Sequence, residues 1–157
     1  ILAEGDEAKI LHDQLSLTAH SAIAADCLGG ANAILASTID YLNTRKQFDR
    51  PLAMFQALKH RVADMKIQLA AAEALFWSRV INPDTTALEM RAMKAHATRA
   101  FSDILEEAVQ LHGGIGLTSE HHCHLFLKRA MLNAVLCGDG DHWDAAMGRN
   151  LLERNST

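Results

Sequence analysis

The sequence predicts an all-α protein: an up-and-down four-helix bundle with a short additional C-terminal helix. Three observations carry this. Only two prolines, Pro51 and Pro83, interrupt 157 residues that are otherwise rich in good helix formers. Apolar residues recur at alternating steps of four and three in two long segments, the spacing that lines one face of a helix. No segment shows the period-two alternation of a strand.

The elements follow in order. Residues Glu7 to about Leu42 carry Leu11, Leu15, Ile23, Ile34 and Ile39 and predict a long first helix. Gly29 and Gly30 sit in mid-run, where glycine costs roughly 1 kcal/mol relative to alanine, so close helix packing is expected there. A connection containing "TRKQFDRP" (44–51) follows. Leu58, Val62, Met65, Leu69, Ala72 and Phe76 form the stripe of a second helix. "NPDT" at 82–85 is a start signal, with Asn82 as N-cap and Pro83 at the first helical position. The third helix then carries Met93, Ala97, Phe101, Ile104, Ala108 and Leu111, and ends in the glycine-rich "GGIG" of 113–116. "TSE" at 118–120 caps a fourth helix reaching Ala134. Asp139 or Asp141 caps a fifth, which carries Trp143, Met147 and Leu151.

Composition narrows the function classes. With 49% apolar residues the chain can build one sizeable core, hence one domain. Fifteen cations against nineteen anions, a net charge of -4, leave no footprint for nucleic acid or an anionic membrane. Three cysteines, Cys27, Cys123 and Cys137, without repeated C-x-x-C spacing suggest neither a disulfide framework nor a zinc ribbon, and fit a cytoplasmic protein. No signal peptide and no membrane span are expected. The opening "ILAEGDEAK" lacks Met and reads as a loop entered from an upstream domain.

Four short constellations can carry chemistry. In "RKQF", Arg45 and Lys46 follow the first helix, where they either complement its C-terminal dipole or clamp a diphosphate, with Gln47 bonding nearby and Phe48 packing on a planar ring. In "QLHGG", Gln110 to Gly114, the glycines either stop a helix or let a ligand approach backbone N–H groups. "HHCH" places only His121 and His124 on one helical face, too few for a tetrahedral site, so no metal is expected. "LCGDGDHW" joins Cys137, Gly138, Asp139, Gly140 and Asp141 at a helix N-terminus, which favours an anion or is simply capped by Asp139. Cys137 is either a thiolate near that dipole or a small buried residue.

Taken together, "LGG" (28–30), "TRKQFDRPLAMFQ" (44–56), "AVQLHGGIGLTSE" (108–120) and "LKRAMLNAVLCGDGDHW" (127–143) resemble, in order and separation, the C-terminal helical domain of the acyl-CoA dehydrogenase family. The resemblance covers nearly the whole chain. It implies that residues 1–6 are the exit from an upstream β-domain absent here, and that 7–157 form the helical domain. It further implies FAD as cofactor, α,β-dehydrogenation of acyl-CoA thioesters, and electron-transfer flavoprotein as acceptor. Assembly is expected as a homo- or hetero-oligomer, a dimer or dimer of dimers through the bundle. By resemblance Arg45, Lys46, Gln47 and Phe48 reach the flavin dinucleotide of a neighbouring subunit, and Phe55 and Gln56 match another FAD-contacting pair. Gln110, Leu111, His112, Gly113 and Gly114 match the segment that closes over the dinucleotide across the interface. Asp139, Gly140 and Asp141 match first-turn residues that border the flavin.

One position departs from the family pattern. Where the family usually reads Tyr-Glu-Gly-Thr, with the glutamate removing the substrate α-proton, this chain reads Leu136-Cys137-Gly138-Asp139. Some branches place the base on the first helix instead, near Ala19 and His20 here. Two readings follow: an active dehydrogenase with a displaced base, or a base-less subunit that pairs with an active one. The isolated domain is expected to be inactive either way.

Overall fold

The first apolar segment forms one unbroken helix, α1 (Gly5–Thr44), in the computed structural model, which describes residues 4–118 and 121–154. Of residues 1–6, residues 1–3 lie outside the described residues, and the helix has already begun at Gly5. The stripe that faces inward is Ala24, Cys27, Leu28, Ala31, Ile34, Leu35 and Leu42; Leu15 and Ile39 lie on the solvent side. Contrary to the sequence reading, α1 contains an 18-residue window apolar enough, by length and composition, to cross a membrane, with mean hydropathy 1.4. Its inward face is the floor of the bundle core and packs on α3.

At Gly30 a Cβ would stand 2.6 Å from Cζ of Phe101, whereas at Gly29 it would meet nothing within 4 Å. The close approach inferred from the glycine pair is thus made by one of the two.

The connection after α1 departs from the all-helical expectation. Lys46–Gln47 (β1) and Arg50–Pro51 (β2) pair as a minimal antiparallel hairpin, turned by Phe48 and Asp49 at φ 52° and 60°. Two consecutive positive φ angles make the tight hairpin turn that matches strand twist, a turn that Asn and Gly normally fill. The period-two signal was invisible because each strand is only two residues long. A 3-10 turn, Leu52–Met54, leads into α2 (Gln56–Val80), whose buried stripe is Met65, Leu69, Ala72 and Phe76.

α3 (Ala87–His112) begins later than the Asn82/Pro83 signal predicts. The Asn82 side chain accepts the Asp84 N–H at 3.0 Å and closes a local turn instead. The N-cap is Thr86, which shares a capping box with Glu89: Thr86 Oγ1 accepts the Glu89 N–H, and Glu89 Oε2 accepts the Thr86 N–H. All six residues of the expected α3 stripe are buried.

α4 (Cys123–Val135) also starts later than foreseen. Ser119 and Glu120 of the expected cap lie outside the described residues, and the Thr118 hydroxyl donates back to the Ile115 carbonyl. α5 (Gly140–Arg154) is capped by Asp139, whose Oδ1 accepts the His142 N–H at 2.8 Å.

α1 and α3 run parallel, with α2 and α4 antiparallel to them. α3 touches every other helix, and cross-helix polar pairs fasten it: Arg61 with Glu107, Gln68 with Asp103, and Arg99 with Asp144. Asp26 on α1 takes a two-pronged bond from Arg129 on α4, at 2.8 and 2.9 Å.

Candidate functional site

Two groups of sequence-predicted residues lie at opposite ends of the bundle. The first gathers where α1 and α3 both end. Tyr41 and His112 stack there with ring centroids 4.6 Å apart, and the Tyr41 hydroxyl donates to the His112 carbonyl at 3.3 Å. This contact brings the "RKQF" hairpin and the "QLHGG" segment to the same end, although more than sixty residues separate them in the chain.

Arg45 and Lys46 are exposed there, as the solvated-cation and diphosphate readings both require. Gln47 is exposed, with its amide donating to the Lys46 carbonyl at 2.8 Å. Phe48, 84% exposed, stands at the hairpin tip in a left-handed conformation that an aromatic residue rarely adopts. Its ring meets Phe55 edge-on at 6.0 Å, and the Arg50 guanidinium lies 4.1 Å from the Phe55 centroid. Gln56 pairs with His60 at 2.9 Å. Gln110 is exposed, while Leu111 and His112 are buried. Gly113 ends α3 at φ 63°, and a Cβ at either Gly113 or Gly114 would meet open space, so this backbone is accessible to an approaching group.

The second group surrounds position 137. Cys137 is exposed and takes φ 58°, which removes the small-buried-residue reading. Its carbonyl accepts two bonds at 3.0 Å, from the indole N–H of Trp143 and from Nε2 of His20. The other His20 nitrogen faces the Ser16 carbonyl, so both ring nitrogens of this buried side chain are directed at acceptors. Gly138 is required on two counts: its φ is +90°, and a Cβ would stand 2.6 Å from Nε1 of Trp143. Asp139 is engaged as the α5 cap; Gly140 approaches the Arg99 guanidinium, and Asp141 is an exposed first-turn acid.

One residue of this group went unnoticed in the sequence. Lys94 is fully buried and donates through Nζ to the Gly138 carbonyl at 2.7 Å and the Ala134 carbonyl at 3.2 Å. Burial pushes its ammonium below the ordinary lysine range, partly opposed by attraction to the cysteines and Asp139 around it. The signal was present: Lys94, Ala97, Phe101 and Ile104 continue the buried stripe, and a lysine on such a stripe needs acceptors at its tip.

Comparison with known proteins matches residues 19–152 to the model for the acyl-CoA dehydrogenase C-terminal domain. The chain belongs to the acyl-CoA dehydrogenase family. The acyl-CoA dehydrogenase IpdE2 of Mycolicibacterium smegmatis is 40% identical over 124 residues, covering 79% of this chain and 39% of that protein. IpdE2 of Mycobacterium tuberculosis is 41% identical over 119 residues, covering 76% of this chain and 37% of that one. Among solved structures, butyryl-CoA dehydrogenase from Megasphaera elsdenii superposes with a TM-score of 0.83 at 27% identity, over 89% of this chain and 37% of that one. The chain therefore spans less than two fifths of these acyl-CoA dehydrogenases, the part that forms an all-α domain.

Proposed function

We propose that this chain supplies the C-terminal domain of an FAD-dependent protein acting on acyl-CoA thioesters, and that it works as the base-less member of an oligomer. The observation that carries this reading is the state of the three candidate bases. Cys137 replaces the family's glutamate, His20 has both ring nitrogens on carbonyls, and Asp139 caps α5. A thioester α-proton is a poor acid, and a positioned base contributes typically about 10²–10⁴-fold. His20 and Asp139 are each engaged in holding local backbone, and Cys137 offers a thiol where the family has a carboxylate.

The residues at the Tyr41–His112 end fit a flavin dinucleotide: two exposed cations for a diphosphate, an exposed ring at Phe48, and open backbone at Gly113 and Gly114. When bound, the flavin would take the hydride from the thioester Cβ. Eighteen residues of α3 separate Lys94 from His112, about 27 Å of helix, so the two groups are too far apart to serve one dinucleotide. This supports an oligomer in which Arg45 to Phe48 reach a partner's cofactor while Asp139 to Asp141 border another. Electron-transfer flavoprotein is the acceptor class proposed for the assembly.

The test is anaerobic addition of short-chain and polycyclic acyl-CoA esters to the flavin-loaded full-length protein, following flavin absorbance. We expect no bleaching by the protein alone, and bleaching once a carboxylate-bearing second subunit is added. Bleaching by the protein alone would overturn the base-less reading, and Cys137→Ser and His20→Gln variants would then identify the group that removes the proton.

A further inference from the structure

The glycine-rich loop after α3 hides a cluster that neither "QLHGG" nor "HHCH" suggested separately. His112, at the end of α3, meets His121 and Cys123, at the start of α4, and one potential ligand atom from each lies within 4.8 Å of the other two. Nδ1 of His121 is 3.1 Å from Sγ of Cys123, and Sγ is 4.0 Å from Nδ1 of His112. The two imidazole rings are 4.2 Å apart at 45°. In a tetrahedral site with metal–nitrogen bonds of about 2.0 Å and a metal–sulfur bond of about 2.3 Å, ligand atoms stand roughly 3.3–3.6 Å apart. The His121–Cys123 separation lies just below that range and the three donor atoms are all within 4.8 Å of one another, while the 4.0 Å distance is to the His112 nitrogen that bonds Ala108.

The donor state of each group points the same way. His112 donates from Nδ1 to the Ala108 carbonyl at 2.8 Å, which leaves the lone pair on Nε2, and Nε2 is buried with no hydrogen-bond partner among the described residues. A carbonyl on the far nitrogen of a histidine is the usual support of a metal ligand, fixing the tautomer and the ring plane. His121 accepts the Cys123 backbone N–H on Nδ1, so this nitrogen too carries a lone pair turned toward the thiol.

We propose that His112, through Nε2, together with His121 and Cys123 binds a zinc-class transition metal, with a fourth position open. On binding, the Cys123 S–H bond breaks, its proton leaves to solvent, and a metal–sulfur bond forms; no electron is transferred. The two-nitrogen, one-sulfur donor set suits zinc or cobalt rather than magnesium or calcium, which take oxygen ligands. The exposed backbone of Gly113, Gly114 and Leu117 offers an approach. Ligands at both ends of the loop would clamp the α3–α4 turn. The proposal does not depend on flavin binding or on the base-less reading.

Cobalt chloride and zinc chloride, each alone, are the probes for the purified chain. One equivalent of Co²⁺ should produce a thiolate-to-cobalt charge-transfer band, displaced by Zn²⁺, with Zn²⁺ raising the unfolding temperature. Cys123→Ser should abolish the band, and His121→Ala should weaken binding at least about tenfold. Cys137→Ser, at an exposed position at the other end of the bundle from the donor set, should leave the band unchanged. Absence of the band in the wild-type protein, its survival in Cys123→Ser, or its loss in Cys137→Ser would each overturn the assignment. Because His121 is only half-buried, its variant keeps the test open if Cys123→Ser does not fold, and circular dichroism reports the folding of each.

Discussion

Tyr41 and His112 are joined twice, ring on ring at 28° and by a bond from the tyrosine hydroxyl to the histidine carbonyl. The pair fixes the last turn of α1 against the last turn of α3, and so sets the hairpin beside the glycine-rich segment. Tyr41→Phe keeps the stack and removes only the long hydroxyl bond, so a loss of about 0.5–1.5 kcal/mol is expected. Tyr41→Ala also removes the ring, with about 0.5–1.5 kcal/mol more from the lost stacking alone and a further loss from the apolar area exposed. Urea unfolding of the two variants measures the difference, and equal losses would show that the stack contributes nothing.

Gly29 and Gly30 should respond to alanine with opposite signs. At Gly30 the added methyl collides with the Phe101 ring, buried at the α1–α3 crossing, and overpacking there typically costs about 1–3 kcal/mol. At Gly29 the methyl meets open space on a helix surface, where alanine is favoured by roughly 1 kcal/mol. Thermal melts of the two single variants check both signs.

The stripes of α2 and α3 were legible because a long buried face writes its period into the sequence several times over. Boundaries were less so. Asn82 and Thr86 both look like N-caps, and only the reciprocal bonds of Thr86 and Glu89 decide between them. The hairpin was illegible because its turn uses Phe48 and Asp49 where sequence rules expect Asn and Gly. The contents of the two ends were each readable as motifs, yet their separation along the bundle was not. Lys94 and the meeting of His112 with His121 and Cys123 depend on which residues face each other across helices, information that no single segment contains.

Phe48 occupies its left-handed conformation at a cost of order 1–3 kcal/mol, with little burial to offset it. Phe48→Asn places a residue that tolerates this conformation in the turn. The isolated chain should gain about 0.5–1 kcal/mol, while the assembled flavoprotein should bind FAD more weakly through loss of the exposed ring. Denaturation and flavin retention, measured separately, test the two halves. A variant neutral in both would leave the ring at the hairpin tip without a role.

Asp26 is held below the ordinary carboxylate value of 3.8 chiefly by its bond to Arg129, with Asn133 also donating. A depressed carboxylate contributes stability that is fully present above its unfolded value and is lost as pH falls through its folded one. Wild type should therefore exceed Asp26→Asn in stability at pH 6, and the gap should narrow below about pH 3.8. A gap independent of pH would show that the aspartate's charge is not what joins α1 to α4.

Lys94 provides the last prediction. Its ammonium is withdrawn from water to serve the carbonyls of Ala134 and Gly138, the first in the final turn of α4 and the second in the turn that aims Cys137 outward. Lys94→Met preserves the length of the stem but leaves both carbonyls without their donor, each at a cost of about 1–3 kcal/mol. The burial cost of the charge is relieved at the same time, so a net loss of about 1–3 kcal/mol is expected. The pH dependence separates these terms. With its folded value below 10.5, Lys94 binds fewer protons in the folded state, so wild-type stability should rise relative to Lys94→Met as pH climbs toward 10.5. The neutral amine still donates to both carbonyls, and the desolvation cost is gone. Denaturant midpoints of both proteins between pH 7 and 10.5 measure the trend. A difference that stays flat or shrinks would mean that the lysine is solvated in solution and that another group supports the Cys137–Gly138 turn.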